Sequence, residues 1–125
     1  MALALTDGLP VEAARCVVPG LCREALEAAC MESVRRRRLG KGESHADVEA
    51  LLLKAHKLNN LAALALFDDP ARAGDVLPRI NKEGGKTAAD TFKACNEGAH
   101  GSYAGVLVDF VHDAKKLAAW LQKVK

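Results

Sequence analysis

A chain of 125 residues is a common size for one compact domain, and half of its residues are hydrophobic, enough for a substantial core. Lys and Arg number 18 against 16 acidic residues, a formal net charge of +2, which excludes the whole-chain basic field of a histone-like nucleic-acid binder. Aromatic residues are only 4%, and alanine and leucine supply much of the apolar content, so composition favours helices over strands.

The opening segment MALALTDGLP has neither the basic n-region nor the long apolar h-region of a signal peptide. No window approaches the roughly 20 apolar residues of a membrane span. The expectation is a soluble, cytoplasmic protein. Asp7-Gly8 and Pro10 mark a turn, and Pro10 suits the first turn of a short helix, VEAARCVV. Pro19-Gly20 interrupts it, as a kink or as the start of a new helix.

From Leu21 the helical period is plain. Val18, Cys22, Leu26, Cys30 and Val34 form one stripe at i+4 spacing, with Leu21, Ala25 and Ala29 beside it. This helix runs to about Arg38, and Leu39-Gly40-Lys41-Gly42 ends it. The four cysteines, at 16, 22, 30 and 95, contain no CxxC pair and no metal-finger spacing. They read as small buried thiols of a reducing compartment.

Ser44-His45-Ala46-Asp47 resembles a capping box with Asp in place of Glu. Val48, Leu51, Leu52, Ala55, Leu58, Ala62, Ala65 and Leu66 then give a long buried face, with Asn59-Asn60 as a local weakness. Phe67-Asp68-Asp69-Pro70 is a turn, and Pro70 begins a further short helix. Gly74 and Pro78 restrict residues 70–83 to short helical pieces anchored by Val76, Leu77 and Ile80, and Gly84-Gly85 closes them. Thr87 to Asp90 repeats the capping pattern before a short helix with Phe92, Cys95 and Ala99 on one stripe, stopped at Gly101. Ser102 can cap the last helix. There Leu107, Val111, Ala114, Ala118 and Leu121 form a stripe flanked by Tyr103, Phe110, Leu117 and Trp120. No period-two, β-branched run occurs. The expected fold is all-α: a single-domain helical bundle of four main helices plus short connecting helices, whole or excised from a longer protein.

Several stretches carry candidate chemistry. Gly84-Gly85-Lys86-Thr87 shares the tail of a phosphate-binding loop, but that motif needs a glycine where Ile80 stands and a strand before it, so helix capping explains the segment better. Arg35, Arg36, Arg37 and Arg38, followed by Lys41, are the sharpest charge feature. They read either as a solvated helix end, favoured by the macrodipole and salt-bridged to Glu32 or Glu27, or as a basic patch for RNA, DNA or an acidic partner. His45, His56 and His112 read as solvated, without the HExxH spacing of a metal helix, and no metal or other cofactor is expected. In FKACNEGAHGSY, Asn96 and His100 stand at i and i+4 on one helical face. Such a pair either converges on a ligand atom or holds the tautomer of a packed histidine.

At these residues the chain resembles the HEPN superfamily, helical bundles whose signature is Arg-Asn-x-x-x-His. The segment here is Cys95-Asn96-Glu97-Gly98-Ala99-His100. It is also similar to the Gly-Asn-Glu-x-Ala-His-Gly segment of HEPN-like domains attached to bacterial ATPases and defence proteins. The resemblance implies a homodimer in which two motifs meet at a cleft. In active members the His performs acid-base chemistry in metal-free RNA cleavage and the Arg stabilises phosphate charge. Cys95 stands where that Arg belongs, and a thiol cannot neutralise phosphate charge; Arg23 or the 35–38 run would have to replace it. The expectation is therefore a non-catalytic interaction or oligomerisation module of a bacterial defence or regulatory system, binding RNA or a partner protein, with Asn96 and His100 ordering a helix junction or lining a dimer groove. The rivals are a metal-independent RNase toxin using His100, and a small antitoxin or regulator that binds a partner helix.

Overall fold

The computed structural model describes residues 11–97 and 107–123, and the side chains of 20–96 and 109–123. Five α-helices and one 3-10 helix make up the described residues, which contain no strand. They are α1 (Val11–Gly40), α2 (His45–Ala55), α3 (Leu58–Phe67), the 3-10 turn Pro70–Asp75, α4 (Val76–Glu97) and α5 (Leu107–Lys123). The all-α bundle expected from composition and period is what forms. No helix among the described residues is long and apolar enough to cross a membrane.

α1 is the mast on which the other helices pack. It runs unbroken through Pro19-Gly20, so that pair ends nothing. Proline supplies no N–H to the ladder, but the helix has 30 residues and the rest of its bonds carry it. Cys22, Leu26, Ala29, Cys30 and Val34 are buried along one face, as the i+4 stripe requires, while Ala25 is exposed. The stop is a left-handed turn: Gly42 has φ of 92°, and the Lys41, Gly42 and Glu43 amides bond back to Arg38 and Leu39 carbonyls.

α2 and α3 form a hairpin against the C-terminal part of α1. Ser44 Oγ accepts from the Asp47 amide at 3.1 Å, the N-cap half of the capping box. The break in the long apolar face falls at His56-Lys57, not at Asn59-Asn60. His56 takes φ of 29° as the cap of α2, and Leu58 opens α3. The break turns the chain back, so Leu58, Leu61 and Leu64 also reach the core. Asn60 is instead a fastener, its Nδ2 donating to the Pro70 carbonyl at 2.9 Å. Asp68 ends α3 in the left-handed conformation, and the Asp69 carboxylate caps the Ala71 amide at 2.9 Å, so Pro70 starts the 3-10 turn as expected. The guanidinium of Arg72 lies 4.1 Å from the Phe67 ring centroid.

α4 and α5 form the second hairpin. The chain from Val76 to Glu97 is two helical pieces joined across a kink at Gly85, whose φ of 86° and ψ of 177° are non-helical, so Gly84-Gly85 closes the first piece as expected. Thr87 lies just past that kink, in the first turn of the second piece, where its carbonyl accepts from Thr91 Oγ1 at 2.8 Å. Phe92, Ala94 and Cys95 face the core. On α5 the buried line is Phe110, Val111, Ala114, Leu117 and Leu121, with Ala118 and Trp120 at its edge. Directions follow from side-chain neighbours. Arg35 meets Glu49 and Arg37 meets Leu64, so α2 runs against α1 and α3 runs with it. Gln122 donates to Glu32 at 2.8 Å, tying the end of α5 to the later part of α1.

Candidate functional site

The arginine run sits where α1, α2 and α3 end or meet, and each described contact points inward or sideways into the fold. Arg35 holds Glu49 of α2 through two parallel 2.8 Å hydrogen bonds from Nε and Nη2, the fork-on-carboxylate geometry. The hydrogen bond from Arg35 draws the Glu49 carboxyl below its usual range. Arg37 donates from Nη1 to the Ala65 carbonyl at 2.9 Å and from Nη2 to the Leu64 carbonyl at 2.8 Å, and reaches Asp68 at 3.3 Å. It places a cation at the negative end of α3. The carbonyls it satisfies belong to a neighbouring helix, not to its own. Arg38 bonds Glu43 at 3.1 Å and Asp68 at 2.8 Å. The Arg37 and Arg38 side chains are 15% and 19% exposed. Arg36 and Lys41 lie on the surface. The acids hydrogen-bonded to Arg35, Arg37 and Arg38 are thus Glu49, Glu43 and Asp68, all later in the chain than the helix-mates Glu32 and Glu27, while Glu32 also acts on Arg35 through its charge. Glu27 is instead partnered by Arg23 at 3.4 Å, and Glu32 by Gln122.

The second candidate lies at the C-terminal end of α4. Cys95 is completely buried, facing the interior of the bundle. Burial pushes its thiol far above the ordinary range, and proximity to Cys22 adds to the shift. Burial likewise raises Cys22 to about 11 and Cys30 to about 12. Asn96 is half-buried one residue further on. His100 lies outside the described residues, as do Ala99, Gly101, Ser102 and Tyr103. His45, His56 and His112 are exposed. Among the described residues no group of three His, Cys, Asp or Glu side chains is placed to share a metal ion.

Among the described residues the surface also carries concavities that the motifs did not assemble, two of them largely apolar. One, of about 200 Å³, opens at the bend of α4 and is lined by Ile80, Gly84, Ala88, Leu117 and Trp120, with Asp113 and Lys116 at its edge. The other is a groove of about 390 Å³ between α1 and the α2–α3 hairpin, floored by Met31, Leu52 and Leu61. Leu53 stands on the margin of this groove and is 79% exposed. The sequence carried a signal for it: Leu51-Leu52-Leu53 puts three large apolar residues in succession, and one face of a helix cannot take all three.

Comparison of the chain with protein-family models, with curated proteins and with solved structures found no match.

Proposed function

We propose that this chain is a non-catalytic interaction and oligomerisation module of HEPN-like type, of the sort that serves bacterial defence or regulatory systems. The observation that carries the reading is the engagement of the arginine run within the fold. Arg35, Arg37 and Arg38 hold Glu49, the α3 carbonyls, Glu43 and Asp68. A phosphate backbone would have to compete with these carboxylates for the same donors. The burial of Cys95 supports the same reading. The position that carries arginine in ribonuclease members of the family points into the core here, so no cation could act on a scissile phosphate from it. Leu53, exposed beside the groove floored by Met31, Leu52 and Leu61, is apolar surface of the kind that protein association buries.

The test is a pair of assays on the purified chain. Single-stranded RNA should remain uncleaved, and its binding should lack the steep decline with salt that several phosphate contacts produce. Metal-independent cleavage that His100→Ala abolishes, with the helical content unchanged, would establish the ribonuclease reading in its place.

A further inference from the structure

We propose that the cavity between the bend of α4 and the later half of α5 binds a small aromatic carboxylate. The inference goes beyond the interaction-module reading and does not depend on it. Local sequence makes the cavity. Gly84 has no side chain and Ala88 only a methyl group, so the wall they form beside the Gly85 kink lacks bulk. Ile80 and Leu117, both buried, and the half-buried Trp120 supply the apolar remainder. The volume is about 200 Å³. An apolar cavity of about 150 Å³ already holds a benzene ring, so one ring fits here with room for a head group at the mouth. Trp120 offers that ring an aromatic partner.

Hydrogen bonding and charge select the head group. Thr87, Lys116 and Trp120 each bring a donor to the lining, and none of these three side chains is hydrogen-bonded or ion-paired to a described residue. Asp113, the carboxylate of the lining, already has a partner. The lining therefore has donors to spare, one of them a cation, and no unengaged acid. An uncharged aromatic would leave the Lys116 ammonium without a counter-charge, and an aromatic amine would repel it. A carboxylate accepts from these donors and pairs with Lys116 while its ring fills the apolar floor.

The experiment titrates the full chain with benzoate, benzyl alcohol and benzylamine, read by the indole N–H resonance of the single tryptophan. Benzoate should shift that resonance saturably, with a Kd on the order of 1 mM, the range open to so small a ligand. Benzyl alcohol should bind about tenfold more weakly, and benzylamine more weakly still. Lys116→Gln, at an exposed position, should keep the parent's circular dichroism, weaken benzoate about three- to tenfold and leave benzyl alcohol unchanged. Ala88→Leu fills the mouth and should abolish binding of all three compounds. A shift that stays linear in benzoate up to about 20 mM overturns the site, and so does saturable binding that survives Ala88→Leu. Equal affinity for benzyl alcohol, a preference for benzylamine, or an unchanged benzoate Kd in Lys116→Gln overturns the choice of a carboxylate. None of these results resembles failure of the non-catalytic reading, which would appear as RNA cleavage dependent on His100.

Discussion

Arg37 donates to the carbonyl oxygen of Leu64 at 2.8 Å, joining the last turn of α1 to the last turn of α3 across 27 positions of sequence. With its second bond to Ala65, the guanidinium clamps the end of α3, sharing the Leu64 carbonyl with the Asp68 cap amide. Arg37→Ala should therefore destabilise the fold by about 2–3 kcal/mol, the scale of a hydrogen-bonded charge removed from buried acceptors. Arg37→Lys should recover little, since an ammonium cannot present two parallel donors to adjacent carbonyls. Chemical denaturation of both variants checks this. Loss of RNA affinity without loss of stability would instead mark Arg37 as a ligand contact.

The Arg35–Glu49 pair makes an acid-side prediction. The hydrogen bond from Arg35 lowers the folded-state pKa of Glu49 from an ordinary value of 4.5. A depressed carboxylate contributes stability above its unfolded pKa and loses it as pH falls through the folded pKa. The contribution should be complete near neutrality and fade below about pH 4.5. Melting midpoints of the parent and Glu49→Gln, followed from pH 7 to pH 3, should differ at the top of the range and converge at the bottom. Both partners are about half exposed, so the gap should be small and should shrink in salt. A gap that widens on acidification would contradict the assignment.

Much of the fold was legible because helical burial repeats locally. Cys22, Leu26, Cys30 and Val34 repeat every four residues, and one stripe of that kind points to one place. Ser44, Asp69 and Pro70 announce helix starts by chemistry that acts within three residues. What was not legible depends on distant chain. Asn59-Asn60 looked like the weak point of a long helix, yet the turn falls at His56 because the Leu58, Leu61 and Leu64 face must fold back onto α1. Pro19 looked like a break, yet the helix passes through it. The arginines were read against acids on their own helix; Glu32 does act on Arg35 through its charge, but the hydrogen-bonded partners of Arg35, Arg37 and Arg38 are Glu43, Glu49 and Asp68, brought near by the α2–α3 hairpin. Cys95 stood in a functional motif position, but which way it faces is settled by the packing of α4 on α1 and α5.

The buried thiols should be chemically silent. Burial raises Cys22 to about 11, Cys30 to about 12 and Cys95 higher still, so almost no thiolate exists at pH 8. In a Cys16→Ser background, a disulfide reagent should label none of these three in the folded chain and all three in guanidinium. Above about pH 9 the unfolded thiols ionise while the folded ones stay protonated, so stability should fall with alkalinity. Fast labelling of the folded chain at pH 8 would mean that α4 opens from α1 far more readily than this packing allows.

Gly85 sets the bend of α4 and, through it, the cavity beside Trp120. Its φ of 86° with ψ of 177° lies in a region open essentially to glycine alone. Gly85→Ala should cost about 1–3 kcal/mol. Gly85→Asn should be no better, because asparagine eases the left-handed region near ψ of 47° and not this one. One residue earlier the obstacle is different in kind. A Cβ on Gly84 would come within 2.9 Å of the Ala88 Cβ, and neither atom sits at the end of a flexible chain, so the helix itself must shift. Gly84→Ala should then alter the cavity that both Gly84 and Trp120 line, and the single tryptophan reports on it. Thermal melts with tryptophan emission spectra test both positions. Gly85→Ala and Gly85→Asn should melt alike and below the parent. Gly84→Ala should displace the emission maximum, and an unchanged spectrum with a raised midpoint would show that ordinary helix propensity outweighs the contact.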